Sequence, residues 1–535
     1  MTGKVIEGTL SNQNKYKFAF QEEHPEYRKR KSQWKLIRDC VEGEDAIKEA
    51  GEEYLPRAVG MSNDRYRSYI SRPAFVNYVD QTLEGTHGMI FRRSPVTTAP
   101  KELTDFLKNV NREGDSMYQF ASDTVYDIMQ TNFGGYLVDF PPAPEHLNVA
   151  GADKLGIRPY ITFYKAENII NWRFELVNGT KVPTMIVLRE QVEYDIIDNP
   201  FAHTIAYQYR VLRIVNGVYK QYLYKPDTEK TFIEYEIPIK VNHGELNYIP
   251  FVFAPGSCPE KPMLKDIANV NISHFKKTAD YENGIHLTTI PTGVVTGEEP
   301  QKDKNKNIQP IYLGADNFLM FPNENAKVFT LCYAGEGLTH VETALDKSEL
   351  QMVVLGSRII TPEKGISETA ESANIHRAGE NAKLATFAHN MSNCLAKVLN
   401  IVAEFMGVKA ECKYELNTDY ETQGFDANAL NAMVNLFSIG KVPLIVLYRM
   451  MMRGELIDPN MSYEDITYLL DLENAGLTPS EVNEAFAKYK ESNKVKKVRG
   501  KKLPTNQEIE DKQLVDPETH KVEFKDAKNG EENKV

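Results

Sequence analysis

The sequence has few cysteines, no long apolar run and no recognisable targeting segment. Its five cysteines among 535 residues are an odd number without a Cys-x-x-Cys pair, so neither a disulfide framework nor a structural zinc site is expected. No run of about 18 apolar residues is present, and the N-terminal segment lacks the apolar core of about 7–15 residues that a secretory signal needs. These absences predict a protein of a reducing compartment with no membrane partner.

The chain has less positive than negative charge. Sixty-three Lys and Arg residues stand against 75 Asp and Glu, which gives a formal net charge of −12. A general nucleic-acid coat needs an excess of basic side chains to neutralise phosphates, so that class is not expected. Apolar residues make up 41% and charged residues 26%, which is typical of a globular protein with about three or four domains at this length.

Motifs for common catalytic chemistries are also absent. The sequence has no Gly-x4-Gly-Lys-Ser/Thr phosphate loop, no Gly-x-Ser-x-Gly nucleophile elbow and no helical pair of histidines. A nuclease-like fragment, Glu411 and Lys413, has its Pro-Asp partner far upstream at Pro226 and Asp227. We therefore predict no catalytic residue, no metal ligand and no cofactor, with a metal-dependent DNA-processing enzyme as an alternative.

Periodicity in the sequence predicts an α+β protein. Apolar residues recur at helical spacing from Trp34, from Pro73 and from Met117. Short β-branched and aromatic runs follow over 155–255, and the dipeptides at 178–179 and 216–217 are both Asn-Gly, which predicts tight hairpins. The first part of the chain therefore combines helices with an antiparallel β layer.

Two striped helices and one very long helix are predicted further along. The helices Leu264–Gly284 and Leu338–Gly356 each carry one apolar stripe, and a second β stretch lies between them. The long helix extends from about Glu368 to Met406, and we expect it to lie along a large surface or a neighbouring subunit. Shorter helices over 425–492 and a charged, apolar-poor tail complete the chain.

Several segments, in the order in which they occur, are similar to a single family: Trp34–Glu44, Tyr54–Arg57, Tyr69–Asn77, Gly88–Pro95, Asp266–Phe275 and Ser367–Glu371. Together with the long helix that follows, they resemble a subfamily of tailed-bacteriophage portal proteins, which connect the capsid to the tail. The likeness covers roughly residues 30–410 and consists of fold-level stretches rather than an active-site motif.

The resemblance implies a portal fold with an α/β wing, a two-helix stem, a β-containing clip, a long kinked helix and a helical crown. With the polar ends of the chain, the expected boundaries are a flexible N-terminal arm over 1–30, the wing over 31–262, the first stem helix over 263–286, the clip over 287–337, the second stem helix over 338–357, the tunnel loop over 358–368, the long helix and a wing strand over 369–424, the crown over 425–492 and a disordered charged tail over 493–535.

The resemblance also implies a DNA channel. Portal proteins form rings, typically of twelve subunits, so we expect a dodecamer without enzymatic activity. The tunnel-loop residues expected to line the narrowest part of the channel are Thr361, Glu363, Lys364 and Gly365. We expect Lys364 to make a transient phosphate contact there, and Lys276 and Lys277 to make another on the first stem helix.

Subunit packing in such a ring is expected to use the apolar stripes of the second stem helix and of the long helix. The residues predicted for this role are Leu345, Met352, Leu384, Met391 and Val398. The other expected partners are viral double-stranded DNA, the terminase large subunit, a head-tail adaptor and the major capsid protein, with the scaffold as a further candidate. The expected location is the virion, after assembly in the host cytoplasm, and a non-portal virion or adaptor protein is a second alternative.

Overall fold

The computed structural model describes residues 3–10, 16–141, 158–196, 199–228, 230–237, 244–289, 292–297, 323, 325–331, 335, 337–360, 370–409, 411–418, 420, 434–437, 439, 441–453, 457, 461–475, 478–498, 513–515 and 522–524. The chain divides into two compact units, Met1–Tyr420 and Glu421–Val535. Both helices and sheets are present, which confirms the α+β class.

The secondary structure within these residues is as follows. The helices are α1 Pro25–Glu42, α2 Glu44–Ala50, α3 Asn63–Ser71, α4 Tyr78–Phe91, α5 Met117–Thr131, α6 Lys265–Thr289, α7 Leu338–Ile360, α8 Ala370–Phe405, α9 Leu444–Arg453, α10 Tyr463–Asn474 and α11 Pro479–Val498. The strands are β1 Lys4–Glu7, β2 Thr9–Leu10, β3 Tyr16–Lys17, β4 Val96–Thr98, β5 Gly134–Asp139, β6 Tyr160–Lys165, β7 Ile169–Val177, β8 Thr180–Ile196, β9 Asn199–Val215, β10 Val218–Thr228, β11 Thr231–Ile237, β12 Phe251–Ala254, β13 Thr292–Thr296, β14 Lys327–Leu331, β15 Lys413–Glu415, β16 Gln513–Val515 and β17 Val522–Phe524.

The largest sheet is an antiparallel layer in the order β1-β11-β10-β9-β8-β7. Its hairpin β7–β8 turns at Asn178 and Gly179, whose φ angles are 50° and 78°, and β9–β10 turns at Asn216 and Gly217, with φ angles of 53° and 81°. Two successive positive φ angles are what a type I′ turn requires, and Asn-Gly adopts them readily. Both predicted hairpins and the predicted antiparallel layer are therefore confirmed.

A second sheet, in the order β12-β5-β6, lies in the centre of the first unit. Every residue of β5 is buried, and the long helix α8 contacts both β5 and β12. Trp34 of α1 is fully buried nearby, and its indole Nε1 donates a hydrogen bond to the carbonyl oxygen of Thr131 at 3.0 Å. The apolar stripe predicted from Trp34 thus faces this core.

The helix predicted from Pro73 begins later than expected, at Tyr78. Its cap is Asn77, and the preceding segment is held in tertiary hydrogen bonds. The Phe75 amide donates to Glu44 Oε2 at 2.9 Å, and the Val76 carbonyl accepts from Asn271 Nδ2 at 2.8 Å. Because these backbone groups are bonded to other elements, they are unavailable to a helix at this point.

The prediction of a flexible arm over 1–30 is wrong for the described part of that range. Strand β1 pairs with β11, and α1 already begins at Pro25, a favourable first residue for a helix. Phe18 and Phe20 pack against Phe232, with ring centroids 4.7 and 5.1 Å apart. These two aromatic side chains in an otherwise polar segment complete the edge of the large sheet.

The second unit contains α9, α10 and α11 within the range predicted to be helical. Ser462 and Asp465 form a capping box at the start of α10, and Lys490 Nζ of α11 lies 2.7 Å from Asp465 Oδ2. The prediction of disorder from residue 493 is wrong where α11 continues to Val498 and where β16 pairs with β17. Lysine is a good helix former, and β-branched Val515 lies opposite Val522 in the strand pair.

A glycine in β5 provides a test of the central packing. A Cβ at Gly135 would collide with the ring of Phe251, so we expect Gly135→Ala to lower the free energy of unfolding by about 1–3 kcal/mol. A Cβ at Gly88 in α4 would have nothing within 4 Å, and Gly88→Ala is expected to stabilise the chain by about 0.4–1 kcal/mol. Urea unfolding of both variants measures the two effects, and equal stabilities would contradict the packing around Gly135.

Candidate functional site

Helices α6 and α7 form an antiparallel pair joined by the hairpin β13–β14. Gly284 of α6 faces Leu338 of α7, and a Cβ at Gly284 would lie 2.5 Å from Leu338 Cδ2. Further back along α6, the ammonium group of Lys277 donates a hydrogen bond to the buried hydroxyl of Ser348. Going from Lys277 to Gly284 along α6 corresponds to going back from Ser348 to Leu338 along α7. The two helices therefore run in opposite directions.

Helix α6 is anchored to other helices of the first unit at Asn271 and at Asp280. Asn271 is fully buried; its Nδ2 donates to the Val76 carbonyl at 2.8 Å, and its Oδ1 accepts from the Tyr78 amide at 3.1 Å. Tyr69 of α3 donates from its hydroxyl to Asp280 Oδ1 at 2.6 Å. These bonds tie α6 to α3 and to the start of α4, and they satisfy a polar side chain that would be costly to bury alone.

His274 lies between α6 and α7. It is 4% exposed, and its Nε2 is 3.3 Å from Glu349 Oε1, while its buried Nδ1 has no hydrogen-bond partner among the described residues. Burial lowers the pKa of His274, and the nearby carboxylate of Glu349 offsets part of that effect. The contact adds a second polar link, besides Lys277 and Ser348, between the two helices.

The hairpin between the helices pairs β13 with β14, from Thr292 opposite Leu331 to Thr296 opposite Lys327. The last turn of α6 continues to Thr289, three residues into the range predicted as the clip. At the other end, α7 extends to Ile360. The loop predicted to follow it contains Thr361, Glu363, Lys364 and Gly365, and all four lie outside the described residues.

The two lysines predicted on the first stem helix differ in their surroundings. Lys276 is half-buried on α6, whereas Lys277 is bound to Ser348 within the helix pair. Lys277 therefore has a structural contact within its own chain. Its predicted contact with DNA phosphate, like that of Lys276, stays a prediction.

The predicted subunit-packing residues require a correction. Met352 is 1% exposed on α7, and the α8 residues Leu384, Met391 and Val398 are 2%, 0% and 0% exposed. The three α8 side chains belong to the main hydrophobic core of the first unit. Because their own chain already covers them, the prediction that these four residues pack between subunits is wrong. Leu345 is half-buried, so its contact with another subunit stays a prediction.

Sequence reasoning missed Asn271 and His274. Both are polar residues inside the apolar stripe of α6, whose buried members include Ile267, Ile272 and Phe275. A polar side chain within an apolar stripe signals a buried hydrogen bond, because burial without a partner is unfavourable. That signal identifies the residues, but only the fold shows that their partners are the start of α4 and Glu349.

Neither a metal site nor a membrane span is found in the part of the chain that the structure describes. No group of three or more His, Cys, Asp or Glu residues is arranged there to hold a metal ion. None of the described helices is both long enough and apolar enough to cross a bilayer. Lys413 of the nuclease-like fragment is exposed on β15.

Comparisons with known proteins give a family match over part of the chain and a similar solved structure over most of it. Residues 262–406 match a family model described as "Domain of unknown function (DUF4055)", a range that contains α6, the hairpin, α7 and α8. None of the curated proteins matches the chain. A solved structure described as "Neck of empty GTA particle computed with C6 symmetry" contains a similar chain, with 11% sequence identity and a TM-score of 0.32, covering 72% of this chain and 92% of that one.

Proposed function

We propose that this protein is a portal subunit, which forms a ring at one vertex of a viral capsid and surrounds the channel for DNA packaging and ejection. The observation that carries the proposal is the arrangement of α6, the hairpin β13–β14 and α7, followed by the 36-residue helix α8. The portal-like sequence segments predict a stem, a clip and a long helix in this order.

The helix pair suits the role of a stem. One half of α6 is fixed in the wing core through Asn271, and its other half pairs with α7 through Gly284 and Leu338. Leu350 and Val353 of α7 are 65% and 52% exposed, so part of its apolar surface is available to another subunit. Heterologous contacts in a closed ring are one way to cover such surfaces.

The acidic composition suits a channel that passes DNA without gripping it. Twelve chains with a formal charge of −12 each carry −144 together, and the field of these charges adds up around a closed ring. A wall of mostly negative sign repels phosphates from all sides and keeps a duplex centred. In this proposal Lys364 of the tunnel loop and Lys276 and Lys277 of α6 provide transient phosphate contacts. Thr361, Glu363 and Gly365 complete the tunnel loop.

In this proposal the hairpin β13–β14 is the clip, which binds the terminase large subunit and later a head-tail adaptor. The wing and crown meet the major capsid protein and the scaffold. The protein then resides at the portal vertex of the virion, after assembly in the host cytoplasm.

Oligomer mass tests the proposal. Twelve copies of a 60.9 kDa chain form a particle of about 730 kDa, so we expect mass photometry to show this species and negative-stain images to show rings with a central hole. The same preparation is incubated with linear duplex DNA and Mg²⁺ as a control for nuclease activity. A monomer or dimer that cleaves the DNA would contradict the portal proposal and favour the enzyme.

A further inference from the structure

Four polar side chains meet where α6 packs against α7. His274 and Lys277 are three residues apart on α6, so they lie on one face of that helix, and Ser348 and Glu349 are adjacent on α7. Nε2 of His274 lies 3.3 Å from Oε1 of Glu349, and the ammonium group of Lys277 donates to the hydroxyl of Ser348. We call these four residues the interhelix cluster. Within it, histidine is the residue type that ordinarily titrates between pH 5 and pH 8.

His274 is buried with one ring nitrogen unsatisfied. The residue is 4% exposed, and no hydrogen-bond partner for its buried Nδ1 is found in the part of the chain that the structure describes. Because Nε2 faces the carboxylate of Glu349, we assign the proton of the neutral ring to Nε2, which leaves a lone pair on Nδ1. A second proton therefore binds at Nδ1 and creates a buried N–H donor without an acceptor, which is unfavourable.

The charged groups that act on the ring are Lys277 and Glu349, one from each helix. Lys277 repels an imidazolium, whereas Glu349 attracts it. The side chain of Glu349 is 46% exposed, so water screens that attraction. From α4, Tyr78 faces the same carboxylate, and it stays neutral near pH 7 because burial and Glu349 raise its pKa above 10. The surroundings of His274 therefore compensate an added proton only in part.

Burial decides the sign of the pH effect. It lowers the pKa of His274, Lys277 lowers it further, and Glu349 offsets part of the change. A histidine with a lowered pKa in the folded chain binds fewer protons there than in the unfolded chain. Its contribution to stability is present in full above the unfolded pKa of 6.5, and it is lost as the pH falls below 6.5 towards the folded-state pKa.

We propose that the interhelix cluster is a pH-sensitive device, in which neutral His274 holds α7 against α6 and its protonation at mildly acidic pH weakens this pairing. The effect is confined to the helix pair because the ring lies between these two helices. On its other contacts α6 is held to α3 and to the start of α4 by Asp280 and Asn271, and those bonds contain no histidine. Acidification thus loosens α7 from α6 and leaves α6 attached to the first unit. The inference does not depend on the proposed function.

Hydrogen exchange of the full chain tests the device. Exchange of the α7 amides over 341–351 is compared at pH 7.5 and pH 5.0 by mass spectrometry, after correction for the intrinsic effect of pH on amide exchange. Each pH unit between the folded and unfolded pKa values changes the opening equilibrium by up to about tenfold. We therefore expect the opening equilibrium constant to increase by about 5- to 30-fold at pH 5.0 in the wild type, and by less than about twofold in His274→Gln, whose amide does not titrate.

His340→Gln is the matched control on the same helix. His340 is exposed, so its replacement removes a histidine without changing the interhelix cluster, and the wild-type increase is expected to remain. Three results would each overturn the device: no increase in the wild type, an increase that persists in His274→Gln, or an equal loss of the increase in His340→Gln.

A measurement on the wild-type chain serves if His274→Gln does not fold. Deuterium exchange at the Cε1–H of the His274 ring, followed by mass spectrometry as a function of pH, gives the titration midpoint of this residue. We expect a midpoint below 6.5. A midpoint at or above 6.5 would overturn the device, because protonation would then leave the folded helix pair unaffected or stabilise it.

Discussion

Replacing Arg210 with methionine is expected to lower the free energy of unfolding by about 3–5 kcal/mol, because the change leaves two buried carboxylates without their cation. Arg210 Nε lies 2.5 Å from Glu190 Oε1, and its guanidinium is 3.6 Å from Asp139 Oδ2. The exposed fractions of the three side chains are only 17%, 15% and 12%. Urea unfolding measures the loss.

The size of this effect follows from the position of the cluster between the two sheets. Asp139 ends β5 of the central sheet, whereas Glu190 and Arg210 belong to β8 and β9 of the large sheet. Tyr164 donates from its hydroxyl to Glu190 at 2.6 Å, and Gln221 Nε2 donates to Asp139 at 3.3 Å. Removal of Arg210 therefore affects a hydrogen-bonded junction and not a single surface ion pair.

The cost of Arg210→Met is also expected to depend on pH. Burial raises the pKa of Asp139, and Arg210 offsets only part of this rise. Burial would also raise the pKa of Glu190, but Arg210 and hydrogen bonds lower that pKa below its usual value. In the wild type, the contribution of Glu190 is present above its unfolded pKa and is lost as pH falls through its folded pKa. Without Arg210 both pKa values rise, the native state binds more protons, and the variant loses less stability at pH 5 than at pH 8.

Arg213→Met is the matched control for this prediction. Arg213 lies on the same strand and is exposed, so its replacement is expected to change the stability by no more than about 0.5 kcal/mol. A cost for Arg210→Met as small as that of the control, or one that is the same at pH 5 and pH 8, would contradict the role assigned to the cluster.

Introducing a carboxylate at Met352 is the second change with a large expected effect. Met352 is 1% exposed on the part of α7 that packs against α4, where Gly356 approaches Thr82. Met352→Asp buries an unpaired charge, so we expect it to cost about 3–5 kcal/mol or to abolish folding. Circular dichroism and thermal unfolding measure the change.

Leu350→Asp provides the comparison on the same helix. Leu350 is 65% exposed, and its replacement is expected to leave the thermal stability of the unassembled chain within a few degrees of the wild type. The two variants thus separate residues that hold the chain together from residues available to a neighbour. Equal melting temperatures for both variants would show that Met352 is not in the core of its own chain.

Short-range signals in the sequence were sufficient for many elements of the fold. The Asn-Gly turns at 178–179 and 216–217 predict their hairpins because the required positive φ angles are a property of those residues themselves. The stripes of α6 and α7 and the length of α8 follow from periodicity in the same way. The start of α4 at Tyr78 does not follow from such local signals, because the remote partners Glu44 and Asn271 bind the backbone of the preceding residues.

In the candidate site, too, some features follow from the sequence and others only from the packed fold. Periodicity shows that Met352, Leu350, Met391 and Val398 are apolar residues on helices, but it contains no information about which neighbour covers each of them. Only the packed chain shows that Met352, Met391 and Val398 face their own core while Leu350 stays exposed.

Local sequence by itself determined the hairpins, the helical stripes and the acidic balance of this protein, since turn geometry, amphipathic spacing and charge are properties of short segments. The tertiary structure alone decided the buried cluster around Arg210 and the links between α6 and α7. These features join residues that are far apart in the chain, and burial and electrostatic pairing depend on the whole packed fold.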